Sequence, residues 1–345
     1  MARVTINCAT EGATIRYTTD GNEPTEASAV YSSPLSLGGV TLKAKAFKAG
    51  LIPSNVSSVV LPSANPTNWV MKSHSLSKQV SGICYSNGKF VAVGENGYIW
   101  YSTDGITWYS SQSFTTNRLD CIAYGNGKFV AVGWDGTLGY STDGITWSGG
   151  SKVFGDGLTI PLVCFGNGRF VLVDASTRTR YSTDGITWSG ASAKLNGNLQ
   201  TCLGYGGGKF ITIGDSSSRR KLYYGTDGLT WTSMACFTTS FIYKLLYVNG
   251  KFVAVGDKGY IGYSTDGITW YSSQSFTTNC LCDVAYGAGK FVAVGDKGVM
   301  GYSADGISWT GISSPTTEYL VDICYGNGRF VSLDRDFVLY CDMEA

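Results

Sequence analysis

Tyr101-Ser-Thr-Asp-Gly-Ile-Thr-Trp108 decides how this chain folds, because it does not stand alone. The octapeptide returns intact at Tyr140–Trp147, Tyr181–Trp188 and Tyr263–Trp270, and in looser form ending at Trp231 and Trp309. Its aspartates, Asp104, Asp143, Asp184, Asp227, Asp266 and Asp305, are 39, 41, 43, 39 and 39 residues apart. A period of about 40 residues in β-type sequence marks a propeller or solenoid made from one supersecondary unit.

A second motif, Gly-Asn-Gly-Lys-Phe-Val-Ala-Val-Gly in its commonest form, alternates with the first. Its Phe recurs at Phe90, Phe129, Phe170, Phe210, Phe252, Phe291 and Phe330. Working outward from Phe129, Asp120–Tyr124 reads as a strand and Asn126-Gly127 as a type I′ hairpin turn, which needs positive φ at both central residues. Lys128–Val132 is the second strand, Asp135-Gly136 a turn and Thr137–Thr142 the third strand. Asp143-Gly144 turns again, and Thr146 opens the fourth strand. Four antiparallel strands in about 40 residues make one propeller blade.

Seven Phe motifs accompany only six octapeptides. The last repeat stops at Phe337–Asp342, where a fourth strand is due, while Asn68-Trp69-Val70-Met71 precedes the first repeat with Trp69 in the place of an octapeptide Trp. Residues near 68–73 are therefore expected to supply the outer strand of the last blade, closing a ring of seven and removing two open edges. The expected fold is all-β: a small sandwich at 1–62, a linker at 63–67 and a seven-bladed propeller at 68–345. With 345 residues, 46 Gly and a formal net charge of +1, the chain has room for both parts. It has no global field to attract nucleic acid or an anionic membrane. No apolar run is long enough to span a bilayer, and Met1-Ala2-Arg3 runs straight into strand-like sequence with no signal stretch.

The first 62 residues lack the repeat. They read as short strands at Val4–Cys8, Thr14–Thr18, Val30–Tyr31 and Thr41–Phe47. The order Ala13-Thr-Ile-Arg-Tyr-Thr-Thr-Asp-Gly-Asn-Glu-Pro-Thr25, Pro34-Leu35, Thr41-Leu-Lys-Ala-Lys-Ala-Phe-Lys48, Gly50 and Ser54 resembles the fibronectin-like C-terminal module of chitobiase and hexosaminidase enzymes. The resemblance implies an accessory spacer, not a catalytic part.

The octapeptide resembles the Asp-box, or BNR repeat, with Ser102, Asp104, Gly105 and Trp108 in the motif positions and Asp and Gly one residue closer than usual. That invites a sialidase reading. The physical reading is structural: Asp beside Gly between two strands caps its own turn, and Trp packs on the neighbouring blade. A residue needed once for chemistry has no reason to appear six times. Sialidases also need an Arg cluster and a Tyr/Glu pair, on six longer blades with inserted loops; here four Arg fall in two sequence pairs, Arg178/Arg180 and Arg219/Arg220. His74 is the only histidine and has no Ser or Cys motif beside it, so a triad lacks context. Asp283 and Asp322 stand in equivalent places, eight residues before Phe291 and Phe330, which favours a structural or channel-lining role over a catalytic pair. No catalytic residue, metal site or cofactor is expected.

The ten cysteines follow the repeat. Cys84, Cys164 and Cys324 stand six residues before the motif Phe, where other blades carry Ala123, Ala285 and Gly204. Cys121 and Cys202 stand eight before. Cys exchanging with Ala and Gly behaves as a small buried hydrophobe. Disulfide geometry all round a ring is not expected, and Cys280-Leu-Cys282 has no second pair to complete a metal site. Free thiols imply folding in a reducing cytoplasm.

Binding is expected where the repeat varies. The first-to-second and third-to-fourth turns are uniform Asn-Gly and Asp-Gly pairs. The second-to-third turns and the blade connections, which share the other face, differ from blade to blade. That face carries Trp134, Phe154, Phe237, Phe241 and Tyr319 beside Arg, Ser and Asn, a mixture suited to sugars. Its candidate ligand-binding residues are Trp134, Arg178, Arg180, Arg219, Arg220 and Tyr319. Blades one and five also share Tyr-Ser-Ser-Gln-Ser-Phe-Thr-Thr-Asn, at Tyr109–Asn117 and Tyr271–Asn279, which points to duplication and to two like sites.

As a combination of domains, the whole chain resembles tail-associated and fibre proteins of phages and prophages of Gram-positive bacteria. The resemblance implies a non-enzymatic virion or tail-particle protein, made in the host cytoplasm and released by lysis. Its expected partners are a host cell-surface glycan or protein receptor and other tail proteins, with neither nucleic acid nor membrane insertion, and a homo-oligomer left open. Two other classes compete: a secreted adhesin or carbohydrate-binding accessory, and a glycan hydrolase of sialidase-like architecture.

Overall fold

The computed structural model describes residues 2–37, 40–61, 65–73, 78–150, 159, 162–189, 195, 200–214, 220–334 and 336–343. The chain divides into two compact units, one built mainly on residues 1–66, the other on 67–287 and 291–342. Apart from single 3-10 turns, the described residues form strands and connections only.

In the first unit, Ala2–Val4 pairs with Leu35–Leu37. A second sheet runs in the order Ala29–Val30, Thr14–Thr18, Val40–Phe47, Ser57–Leu61. Alternation buries Leu42 and Ala44 on the central strand. The strand expected at Val4–Cys8 is shorter and earlier, because its pairing ends with Val4 opposite Leu35. Gly21 sits at φ 81° in a turn that Asp20 closes by accepting the Asn22 N–H at 2.9 Å.

The second unit is a β-propeller: a succession of sheets, most of them four-stranded, each repeating the same meander. The sheet around Phe129 is typical, with strands Leu119–Gly125, Lys128–Gly133, Leu138–Ser141 and Ser148–Gly149. Its first hairpin has Asn126 at φ 44° and Gly127 at φ 75°, as a type I′ turn demands. The turn Trp134–Thr137 is of the same kind, with Asp135 at φ 56° and Gly136 at φ 65°. The fourth strand begins after Trp147, not at Thr146, because the Thr146 N–H is held back by Asp143. The third sheet shows three strands among the described residues, followed by a bridge from Tyr181 to Ser189.

Among the described residues of 70–342, seven such sheets follow one another, numbered first to seventh in the order of their opening strands. In the seventh, Val70–Ser73 pairs with the last strand, Phe337 opposite Ser73 and Tyr340 opposite Val70. Each second strand carries its motif Phe to the interior; six of the seven, all but Phe291, are at most 1% exposed. Fully burying one such ring contributes about 1.5–3 kcal/mol. Neighbouring sheets share these cores: Phe129 and Trp147 of the second sheet pack with Val91 and Val93 of the first.

Candidate functional site

Every octapeptide aspartate is consumed by its own turn. Asp104 Oδ1 accepts the N–H groups of Ile106 and Thr107 at 2.8 and 2.7 Å and the Ser102 hydroxyl at 2.8 Å. Ser102 Oγ in turn accepts the Gly105 N–H at 2.8 Å. The same bonds recur at Asp143, Asp184, Asp266 and Asp305. At Asp227, where Gly225 replaces the serine, only the two backbone bonds remain. Those donors outweigh partial burial and hold all six carboxyls below the usual carboxylate range.

The opposite face is assembled differently. In the first, second, third, fifth and sixth sheets the second-to-third turn is tied to the connection entering its own sheet: the Trp134 N–H donates to Arg118 O at 2.9 Å, Asp257 to Phe241 O at 2.8 Å and Asp296 to Cys280 O at 3.0 Å, with Glu95 and Ala175 bonded likewise to Gln79 and Thr159. Turns and connections therefore meet on one face, as the repeat implied. Trp134 is 53% exposed there. Near its side chain the Asp120 carboxylate takes Arg118 Nε at 2.7 Å. Burial pushes the Asp120 carboxyl up, and Arg118 opposes that rise.

Around the fourth to sixth sheets a second group gathers. The Arg220 guanidinium lies 3.7 Å from the Phe241 ring centroid and donates to Thr239 O. Tyr243 and Tyr319 are half exposed beside it, and Cys282 Sγ donates to Tyr319 Oη at 3.1 Å. Arg178 is held instead by Asp174, four residues earlier, through Nε at 2.7 Å, so its charge is already matched inside the third sheet. Arg180 is half-buried on the strand Thr179–Ser182, opposite Leu172. Phe237, expected to be exposed, is partly buried: it stacks on Trp270 with centroids 4.4 Å apart and packs against the core. Arg219, His74 and Phe154 lie outside the described residues.

Between these groups opens a central cavity of about 400 Å³, lined by first-strand segments of all seven sheets. At its mouth the sequence repeat breaks its own symmetry. The position eight residues before the motif Phe holds Gly82, Cys121, Leu162, Cys202, Lys244, Asp283 and Asp322 in succession. Lys244 Nζ reaches Asp283 Oδ1 at 2.8 Å and Asp322 Oδ1 at 3.5 Å. Asp283 Oδ2 accepts the Ile323 N–H at 2.8 Å, and Asp322 Oδ2 accepts the Ile83 N–H at 2.9 Å. Each carboxylate thus clips its sheet to the next. Register shifts at Val80/Gly82, Leu119/Cys121, Gln200/Cys202 and Ile242/Lys244 mark bulges. A bulge re-aims side chains; Tyr243 and Lys244, adjacent in sequence, both line the cavity.

Sequence reasoning singled out Asp283 and Asp322 but not Lys244, Arg118, Asp120 or Tyr243. Lys244 is alone at its repeat position, and that singularity was the available signal. Among the described residues, no three His, Cys, Asp or Glu side chains are placed to hold a metal ion, and no helix is long and apolar enough to cross a membrane.

Residues 1–58 match the family model described as Chitobiase/beta-hexosaminidase C-terminal domain. That supports a β-sandwich ahead of the propeller. The chain is similar to YCF48 from Cyanidioschyzon merolae, at 19% identity and a TM-score of 0.62, over 79% of this chain and 98% of that one. It is also similar to virginiamycin B lyase from Staphylococcus aureus, at 13% identity and a TM-score of 0.67, over 80% and 100%. The WD40 β-propeller domain of Doa1 is similar at 13% identity and a TM-score of 0.65, over 81% and 98%. These likenesses show the fold alone. No curated protein sequence matches the chain.

Proposed function

We propose that this chain is a non-enzymatic surface protein of a phage or phage-tail-like particle, of tail-fibre or receptor-binding type. Its ring has seven blades, closed by Val70–Ser73, and its octapeptides are Asp-boxes used as turns. The variable face holds a host cell-surface glycan, and residues 1–62 act as a fibronectin-like spacer. One observation carries the reading: the two faces divide their labour. The Asp-box carboxylates are spent on backbone N–H groups. Trp134, Phe241, Tyr243 and Tyr319 expose aromatic surface that no turn requires. Binding is favoured over hydrolysis because Asp283 and Asp322, which line the central cavity from equivalent positions, are each bonded to a neighbouring sheet. Ten free cysteines suit a protein folded in the host cytoplasm and released by lysis.

The test is adsorption of the labelled full chain to a panel of Gram-positive cells and to their extracted wall polysaccharides. Saturable adsorption, weakened about tenfold by Trp134→Ala or Arg220→Ala, is expected, with the polysaccharide chain length unchanged. Depolymerisation of the polysaccharide, or adsorption indifferent to both substitutions, overturns the reading.

A further inference from the structure

The carboxylates lining the central cavity are not all matched by a cation. Asp120, Asp283 and Asp322 line it together with Lys244. Asp120 is met by Arg118 Nε at 2.7 Å and Asp283 by Lys244 Nζ at 2.8 Å. Asp322 is left with that same Lys244 at 3.5 Å, and among the described residues it pairs with no other cation. Its oxygens are oriented but not neutralised: Oδ1 accepts the Ile323 N–H and Oδ2 the Ile83 N–H, each at 2.9 Å. A half-buried carboxylate in this position is stabilised by a further opposite charge.

The approach to Asp322 is kept open by Gly82. The same repeat position holds Cys121, Leu162, Cys202 and Lys244 in the sheets that carry no glycine or aspartate there. A Cβ on Gly82 would come 3.7 Å from Asp322 Oδ2, 3.5 Å from Asp120 O and 3.7 Å from Cys121 Cα, all ordinary contacts, and no left-handed φ calls for glycine. The fold therefore tolerates a side chain where the sequence keeps none. Two acceptors, the Asp322 carboxylate and the Asp120 carbonyl, flank that opening, and acceptors call for a donor.

The rest of the cavity is of another character. Cys121, Leu162 and Cys202 give it a wall without charge, and Tyr243, 42% exposed, lines it as well. Its volume of about 400 Å³ is of the size that holds small ligands. An aromatic face and an apolar wall suit the C–H surfaces of a sugar ring.

We propose that this cavity is a subsite for a protonated amino sugar. The sugar ammonium donates to Asp322 and to the Asp120 carbonyl over Gly82, and its ring packs on Tyr243. The sugar class rests on the glycan-binding reading above; the demand for a cation rests on the cavity alone. An N-acetylated sugar lacks the charge and carries its acetyl group into the same opening.

The experiment is calorimetric titration of the full chain with deacetylated chitotetraose, with its N-acetylated counterpart and with trilysine, at a pH where the free amines are protonated. The deacetylated sugar binds one per chain, at least about tenfold more tightly than either of the others. Gly82→Ala and Asp322→Asn each abolish that preference. Gly82→Ala adds only ordinary contacts, so its melting stays that of the parent and it carries the test even where Asp322→Asn loosens the seam. Asp266→Asn, which takes the same charge from the Asp-box face, leaves the preference intact. Equal binding of the two sugars, binding of neither, trilysine bound as tightly as the amino sugar, or a preference that survives Gly82→Ala overturns the subsite. Cell adsorption that still depends on Trp134 would then leave the glycan face standing. A preference that follows Gly82 and Asp322 in a chain that adsorbs to no cell keeps the subsite and removes the attachment reading instead.

Discussion

Gly105 of the first sheet lies directly over Val331 of the seventh: a Cβ placed on it would come 2.7 Å from Val331 Cγ2 and 3.0 Å from Phe90 Cε2. The same contact recurs one sheet back at each octapeptide, with Gly144 over Val91, Gly185 over Val130, Gly228 over Val171, Gly267 over Ile211 and Gly306 over Val253. The seam between the last and first sheets is therefore packed like the others. Arg329 reinforces it by donating to Asp104 O at 2.7 Å.

That contact gives a test of closure with an internal control. Gly105 has φ +73°, and so has Gly88, around which no atom lies within 4 Å. Gly88→Ala should cost only the left-handed backbone term, about 1 kcal/mol. Gly105→Ala adds overpacking of about 2 kcal/mol against Val331 and Phe90, for a total of about 3 kcal/mol in urea denaturation. Equal losses at the two glycines would mean that the seam is not packed.

The Asp-box carboxyls predict an acid limb. In Asp266 the Ile268 N–H at 2.8 Å is the largest influence, and with the Thr269 N–H and the Ser264 hydroxyl it holds the carboxyl down at about 2. A folded pKa below the ordinary 3.8 contributes stability that is present above about pH 4 and lost as the pH falls toward 2. Asp266→Asn keeps an oxygen for the two N–H groups and removes only the charge, so it should cost about 1 kcal/mol at pH 7, the difference between a hydrogen bond to a charged and to a neutral acceptor. The difference from the parent should shrink through this window and vanish near pH 2, as read from melting temperature against pH. A deficit that stays constant from pH 7 to pH 2 would show that the carboxylate charge is not what holds the turn.

The repeat made the sheets legible because its signals are local: Asn-Gly fixes a turn, and Ser-x-Asp-Gly fixes another within five residues. The outer strand of the seventh sheet could be read for the same reason, since Trp69 repeats a local position and Val70–Ser73 does pair with Phe337–Tyr340. The site depends on what one sheet does to the next, and there the sequence says less. Phe237 looked like a surface aromatic because nothing nearby in sequence shows that its connection folds back onto Trp270. Arg178 looked available because nothing in residue type shows that Asp174, four residues earlier, pairs with it. The bulge that lets Tyr243 and Lys244 both face the channel leaves no mark in residue type.

The thiols should be chemically quiet until the protein opens. All ten cysteines are free, and only Cys8 is exposed. Burial pushes the thiols of Cys84 and Cys202 up to about 12, so almost no thiolate is present at neutral pH. Labelling with a thiol reagent at pH 7.4, a value chosen at about physiological pH, should modify Cys8 within minutes and the ring cysteines only after denaturation. Counting ten thiols in denatured, freshly made protein without reductant is the expected result. Two or fewer would mean that the chain is oxidised and would remove the support for cytoplasmic folding.

Lys244 should matter more to stability than a half-exposed lysine ordinarily does. It is the cation that faces both Asp283 and Asp322, and Asp283 is 1% exposed. Lys244→Met keeps the stem's volume but leaves the Asp283 carboxylate buried beside another carboxylate with no counter-charge. Breaking such a pair from one side should cost about 2–3 kcal/mol, somewhat less than a fully buried pair because Lys244 keeps contact with water. Adding Asp283→Asn to Lys244→Met removes the stranded charge while keeping an oxygen to accept the Ile323 N–H. The double variant should therefore be more stable than Lys244→Met alone, a coupling that a double-mutant cycle reads directly. A loss of about 0.5 kcal/mol for Lys244→Met, the scale of ordinary surface changes, or strictly additive effects in the cycle, would show that the channel charges act independently and do not join the fifth, sixth and seventh sheets.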